Sequence, residues 1–310
     1  MRILQNTRER LVLGVGFGPD GRTLVAGGSG GFDVWDLPAS KHRFVSAQDS
    51  GTIFAFVVDP QGRWLYFSEH RAGGYRYDLK TGEAQRFPGD PYDHHMISIA
   101  ASSDGSRAAV SRGGAGHNRL ECWTIGAGGG MTLAWSVPGP TDTVSFHGLA
   151  FSPDGTKIAS VEEVPWRGTR TPPHPTILRE SLTGKQLSAF GGVPHTLYVQ
   201  TTFTADGRRL IVWNNEQFSV WDVATSERVG QVPRPRHANF NGLAVHSFGK
   251  FFVTAAGDGR ARYWDAGTLK QLRALHWEIG KLHSVAFSPD GMLAAAGGPK
   301  GQIVVWDVDD

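Results

Sequence analysis

Six histidines, His70, His94, His95, His117, His147 and His174, fall in one central stretch of the chain, with Asp93, Glu162 and Glu163 beside them. Imidazoles and carboxylates of this kind could bind a divalent cation. Three such ligands and one open coordination position would suit a metal-dependent hydrolase or lyase. The histidines keep no fixed spacing, however, and the adjacent His94 and His95 cannot easily turn both rings toward one ion. Solvated or hydrogen-bonding imidazoles are the simpler reading. No metal ligand, catalytic residue or cofactor is assigned from them. Other catalytic patterns are missing from the sequence: no G-x-x-x-x-G-K-[ST] phosphate loop and no H-E-x-x-H.

A second set of residues suits binding better than catalysis. The stretch EEVPWRGTRTPPHPT, Glu162 to Thr176, places Trp166, Arg167, Arg170 and His174 among prolines that limit the freedom of the backbone. Arg71, Tyr92, His94 and Arg119 fall in neighbouring irregular stretches. Trp, Tyr and Arg combine large contact area with a polar or charged handle, which makes them prominent in protein interfaces. These eight residues are the expected partner-binding set, with Trp166 and Arg167 its preferred pair.

Composition narrows the partner. Lys and Arg number 31 against 29 Asp and Glu, a formal charge of +2, and no basic run offers the stripe that a nucleic-acid backbone would demand. A protein or peptide is the expected partner. Cys122 is the single cysteine, which excludes an intrachain disulfide and a cysteine-based zinc site. The N-terminal segment lacks the apolar run of a signal peptide, and no stretch of 18 apolar residues suggests a membrane span. A soluble, cytoplasmic protein is the expectation.

The elements that must position these residues come from a repeat. VGFGPDGRTLVAGG at Val15, FVVDPQGRWLYFS at Phe56, IAASSDGSRAAVS at Ile99 and LAFSPDGTKIASV at Leu149 share one pattern with TTFTADGRRLIVW at Thr201, LAVHSFGKFFVTA at Leu243 and VAFSPDGMLAAAG at Val285. Their turn glycines, Gly21, Gly62, Gly105, Gly155, Gly207, Gly249 and Gly291, recur at the period of a four-stranded blade. Each copy is an alternating strand, a turn that needs glycine's positive φ, and a second strand. The 41 glycines, ten tryptophans and 19% charged residues agree with many short strands joined by tight turns.

Most copies reach a third strand that ends in an aromatic residue and an acid: Trp35-Asp36, Tyr77-Asp78, Trp221-Asp222, Trp264-Asp265 and Trp306-Asp307. These dipeptides resemble those of the WD40 repeat family, and the resemblance extends over almost the whole chain. Trp123-Thr124 in the third copy and Arg179-Glu180 in the fourth depart from it. The resemblance implies an all-β, seven-bladed propeller of four-stranded antiparallel blades, a single domain over residues 1–310, with the N-terminal MRILQ closing the last blade. It also implies a stand-alone, non-catalytic interaction scaffold. The family's bracing network of His, Ser/Thr, Asp and Trp would correspond here to His237, Thr254, Asp258 and Trp264, a structural role.

Strand parity then separates two faces. In a meander with strands A to D, the A–B and C–D turns share one face and the B–C and D–A connections the other. The first face holds uniform turns that hairpin geometry explains. On the second, the B–C connections SEHRAGG, SRGGAGHN and the Glu162–Thr176 stretch are longer than those of blades one, five, six and seven. The D–A segments Pro88–Met96 and Val137–Phe146 also look enlarged. The partner is therefore expected over blades two to four.

Overall fold

The computed structural model describes residues 1–6, 10–46, 51–69, 73–88, 95–113, 118–126, 128–139, 145–163, 173–193 and 199–309. Among them, 28 strands form seven four-stranded antiparallel sheets, and one short 3-10 turn at Pro299–Gly301 is the helical element. The sheets are the seven blades of a propeller. In the last repeat copy Val285 pairs with Ala296 and Ala286 with Ala295 across the turn at Asp290-Gly291. Small, alternating side chains at these positions let the sheet pack on its neighbours.

In blade three, strand A is His95–Ala101, B Arg107–Gly113, C Arg119–Ile125 and D Met131–Pro138. In blade four the corresponding strands are Ser145–Phe151, Lys157–Glu163, His174–Glu180 and Gln186–Val193. Blade six contains Phe240–Val245, Phe251–Ala256, Arg260–Asp265 and Gln271–His276. Blade seven is built from Ser284–Phe287, Leu293–Gly297 and Gln302–Asp307, and its outermost strand is Arg2–Gln5 from the other end of the chain. Leu4 faces Ile303 and Arg2 faces Val305 in this closing pair. Closure removes the edge that Gln302–Asp307 would otherwise expose to other chains.

The core lies between blades. Leu24 and Trp35 of blade one pack with Leu4, Ile303 and Val305 of blade seven, and Val253 and Tyr263 of blade six pack with Ala294, Val304 and Trp306. Cys122 is fully buried in the cluster between blades three and four, where burial pushes its thiol up to about 11. A thiol in that state is not a nucleophile at neutral pH.

The acid that follows each aromatic residue has a local task. Asp78 accepts hydrogen bonds from the backbone N–H of Lys80 and Thr81, Asp222 from Ala224 and Thr225, and Asp265 from Gly267 and Thr268. Each carboxylate thereby caps its C–D turn. The A–B turns use a second device. Ser102, Thr204 and Ser288 donate to Asp104, Asp206 and Asp290 at 2.6 Å, and the same hydroxyls accept from the N–H five residues ahead.

These A–B turns also touch one another around the ring. A Cβ at Gly62 would meet Pro19 at 2.7 Å, one at Gly105 would meet Asp59 at 2.7 Å, and one at Gly291 would meet His246 at 2.5 Å. Gly291 has φ +72° as well, so space and backbone conformation both call for glycine there.

Candidate functional site

The aromatic residue of the repeat occupies one fixed register position, and the residue it faces on strand B determines its polar partner. Trp264 pairs with Phe252, and its Nε1 donates to Thr254 Oγ1 at 2.9 Å. The residues aligned with Thr254 are Ala26 in blade one and Val212 in blade five. Neither has a hydroxyl, and Trp35 Nε1 and Trp221 Nε1 are buried without an acceptor among the described residues. In blade seven, where Ala296 holds that position, Trp306 Nε1 donates instead to Tyr263 of blade six at 2.7 Å.

Blades three and four, whose sequences leave the dipeptide pattern, solve the same problem with charge. In blade four Arg179 stands where the tryptophan would be. Its Nη1 donates to Ser160, the residue aligned with Thr254, at 3.0 Å, and its Nη2 binds Glu162 Oε1 at 2.6 Å. Both side chains are largely buried. In blade three the aligned residue is Val110, and Trp123 Nε1 donates instead to Glu121 Oε2 at 2.9 Å. Glu121 also accepts from Arg112 Nε at 2.7 Å and Arg119 Nε at 2.6 Å. Burial alone would raise the Glu121 carboxyl, but the charge of Arg112 and the hydrogen bonds from Arg119, Arg112 and Trp123 outweigh it and hold the carboxyl below its ordinary value.

These buried ion pairs lie at the roots of the longer connections. Arg112 Nη2 donates to the Pro88 carbonyl at 2.5 Å, where the segment into blade three departs, and Glu162 sits next to the end of strand B in blade four.

The strands run further into the connections than the sequence suggests. Strand C of blade two is Gly73–Asp78, with Gly73 facing Glu69 and Gly74 facing Ser68, so the B–C connection there spans 70–72 and matches the short ones elsewhere. The expected enlargement in blade two is therefore corrected. Strand D of blade three reaches Pro138 and strand A of blade four starts at Ser145, which brings that connection to ordinary length. The connections at 87–94, 114–118 and 164–173 remain, and the last is the longest.

Of the expected partner-binding residues, Trp166, Arg167, Arg170, Arg71, Tyr92 and His94 lie outside the described residues. His174 opens strand C of blade four and is 1% exposed, so it cannot be a surface contact. Arg119 is ion-paired to Glu121 at the loop end of its strand and keeps part of its side chain exposed. Arg112 is buried in its own pair with Glu121. In the bracing set, Thr254 and Trp264 are joined as described, whereas His237 is exposed at φ +62° and Asp258 is bonded to Arg262.

Among the described residues no group of three His, Cys, Asp or Glu side chains is placed to hold a metal ion; His70, His94 and His117 lie outside them. No helix of the described residues is long and apolar enough to cross a membrane. A central cavity of about 490 Å³ is lined by Phe56, Gln200, Trp213, Asn241 and His283 among others.

Seven closed blades with this register define a β-propeller of the repeat type, and comparison with known proteins is consistent with that class. The model of the family described as "WD domain, G-beta repeat" matches residues 232–265 and 270–307. Each match starts on or next to strand D of one blade and ends on strand C of the next, the same offset that leaves blade seven needing the N-terminal strand. A guanine nucleotide-binding protein subunit beta from Oryza sativa subsp. indica is 32% identical over 107 residues, 32% of this chain and 28% of that protein. The Zea mays protein of the same description is 27% identical over 167 residues, 48% of this chain and 44% of its own length. A serine-threonine kinase receptor-associated protein from Gallus gallus is 25% identical over 104 residues, 34% and 29% of the two chains. The aligned segments thus span less than half of each relative. The seven blades, the repeated turns and these matches support a WD40 repeat protein.

Proposed function

We propose that this propeller is a protein-interaction platform that holds a partner segment on the face bearing the B–C and D–A connections, over blades two to four. Trp166, Arg167 and Arg170 provide the central contacts, with Arg71, Tyr92, His94 and Arg119 around them. The observation that carries the proposal is the 164–173 connection of blade four, longer than its counterparts and rooted beside the buried Glu162–Arg179 pair. A long, arginine- and tryptophan-bearing connection on a rigid scaffold is the usual seat of recognition. The relatives are described as a subunit and as a receptor-associated protein, words for proteins that work in assemblies.

Affinity purification from the source cells tests this with the native chain and a Trp166→Ala/Arg167→Ala variant side by side. A partner recovered with the native chain should fall at least tenfold with the variant. Equal recovery would move the site elsewhere. Metal analysis of the same preparations is the second arm: a stoichiometric divalent metal, lost on His94→Ala with His117→Ala, would replace the platform with the hydrolase or lyase reading.

A further inference from the structure

The opposite face, with its uniform turns, carries two residues that break the repeat. The residue before the turn glycine is Asp20, Asp104, Asp154, Asp206 or Asp290 in five copies and Gln61 in blade two, but Phe248 in blade six. The residue after the glycine is Arg22, Arg63, Ser106, Thr156, Arg208 or Lys250 in six copies, but Met292 in blade seven. Both replacements are exposed, Phe248 by 70% and Met292 by 60%. They stand on turns that touch, since a Cβ at Gly291 would meet His246 and Ser247 of the blade-six turn.

Local stability argues against both choices. Phe248 gives up the carboxylate that five of the other six turns carry, and it leaves a phenyl ring in water. The turn survives because His246 takes over the bracing. Its Nδ1 accepts from the Phe248 N–H at 3.3 Å and its Nε2 donates to the Gly291 carbonyl at 3.1 Å, so one imidazole ties the two turns together. The same ring stacks on Phe251 at 4.4 Å and meets Phe248 at 5.5 Å and Phe287 at 5.2 Å. The exposed phenyl thus stands on a fixed aromatic base.

Charge around the pair is uneven. Met292 is flanked by Asp290, whose Oδ1 accepts from the Met292 N–H, and by the Asp307–Asp309 turn, whose Val308 N–H bonds to the Met292 carbonyl. Asp290 and Asp309 are exposed on the Met292 side, where the Arg273 guanidinium is bound to the Val308 carbonyl, and Lys250 stands on the Phe248 side. Two exposed apolar side chains beside carboxylates fit a segment that offers an apolar anchor followed by basic residues. A second copy would bring acid against acid in a symmetric contact.

We infer that Phe248 and Met292 form a second docking surface, on the tight-turn face at blades six and seven, for a protein segment with an apolar anchor and adjoining Lys or Arg residues. The test pans a displayed random-peptide library on the native chain and on a Phe248→Asp/Met292→Lys variant, which restores the repeat's own residue types. The native chain should enrich peptides that pair Leu, Ile, Phe or Met with Lys or Arg, and the variant should lose that class at least tenfold. The thermal midpoint of the variant should equal or exceed the native one, which separates lost binding from lost folding. Indistinguishable pools, or a native pool without the apolar-basic class, would overturn the assignment. So would a concentration-dependent dimer in light scattering that the variant abolishes, because the occupant would then be a second copy. Trp166→Ala/Arg167→Ala should leave the apolar-basic class in place, so the two faces can fail separately.

Discussion

At the scale of residues, the polar partner of one buried nitrogen distinguishes the blades. Thr254→Val removes the acceptor of Trp264 Nε1 and should cost about 1–3 kcal/mol, the usual penalty for a stranded buried donor, read from urea unfolding. The reverse change is the sharper test. Val212→Thr offers a hydroxyl where Trp221 Nε1 has none, and should raise stability by about 0.5–1 kcal/mol. A loss there would mean that the hydroxyl cannot reach the indole. Glu121→Leu should be far more damaging, about 3–5 kcal/mol, because it strands two arginines and Trp123 together. Part of this was legible in the sequence. Trp123-Thr124 and Arg179-Glu180 stand out as departures, but their compensation requires knowing that Ser160 and Val110 occupy the position of Thr254, which only the strand register provides.

At the scale of elements, the A–B turns respond to pH. The Ser102 hydroxyl and the Ser106 N–H hold Asp104 down to about 2, and Ser152 and Thr156 do the same for Asp154. A carboxylate whose folded value lies below its unfolded one stabilises the fold above the unfolded value, and that contribution fades as pH falls through the folded value. Thermal midpoints should therefore decline from about pH 4 toward pH 2, and Asp104→Asn with Asp154→Asn should flatten part of that decline. An unchanged profile would remove these turns from the acid transition. The turns were also the most readable elements, because glycine and aspartate mark them in sequence. Strand ends at the opposite face were harder to read. Gly73 and Gly74 look like loop yet pair with strand B, and the Pro-His-Pro around His174 looks like loop although strand C begins there. The ladder shifts between His174 and Thr176, an irregularity that accommodates Pro175, which has no N–H to give.

At the scale of the whole molecule, seven repeats implied seven blades, and the offset between repeat and blade implied that Arg2–Gln5 would close the ring, as it does. Deleting residues 2–5 should bare the Gln302–Asp307 edge, lower the unfolding midpoint and produce concentration-dependent association visible in light scattering. A deletion variant that stays monomeric with an unchanged midpoint would make the closing strand dispensable. The same latch joins residues at opposite ends of the sequence, for the Gln5 side chain bonds to the Lys300 carbonyl across a separation of 295 residues. A growing chain can finish its inner blades as they emerge, but blade seven waits until its last strand has been synthesised, and a chain cut short before Gln302 keeps an open ring with an unpaired first strand. A chain that lacks Gln302–Asp307 therefore exposes sheet edge, and one that carries this strand hides it.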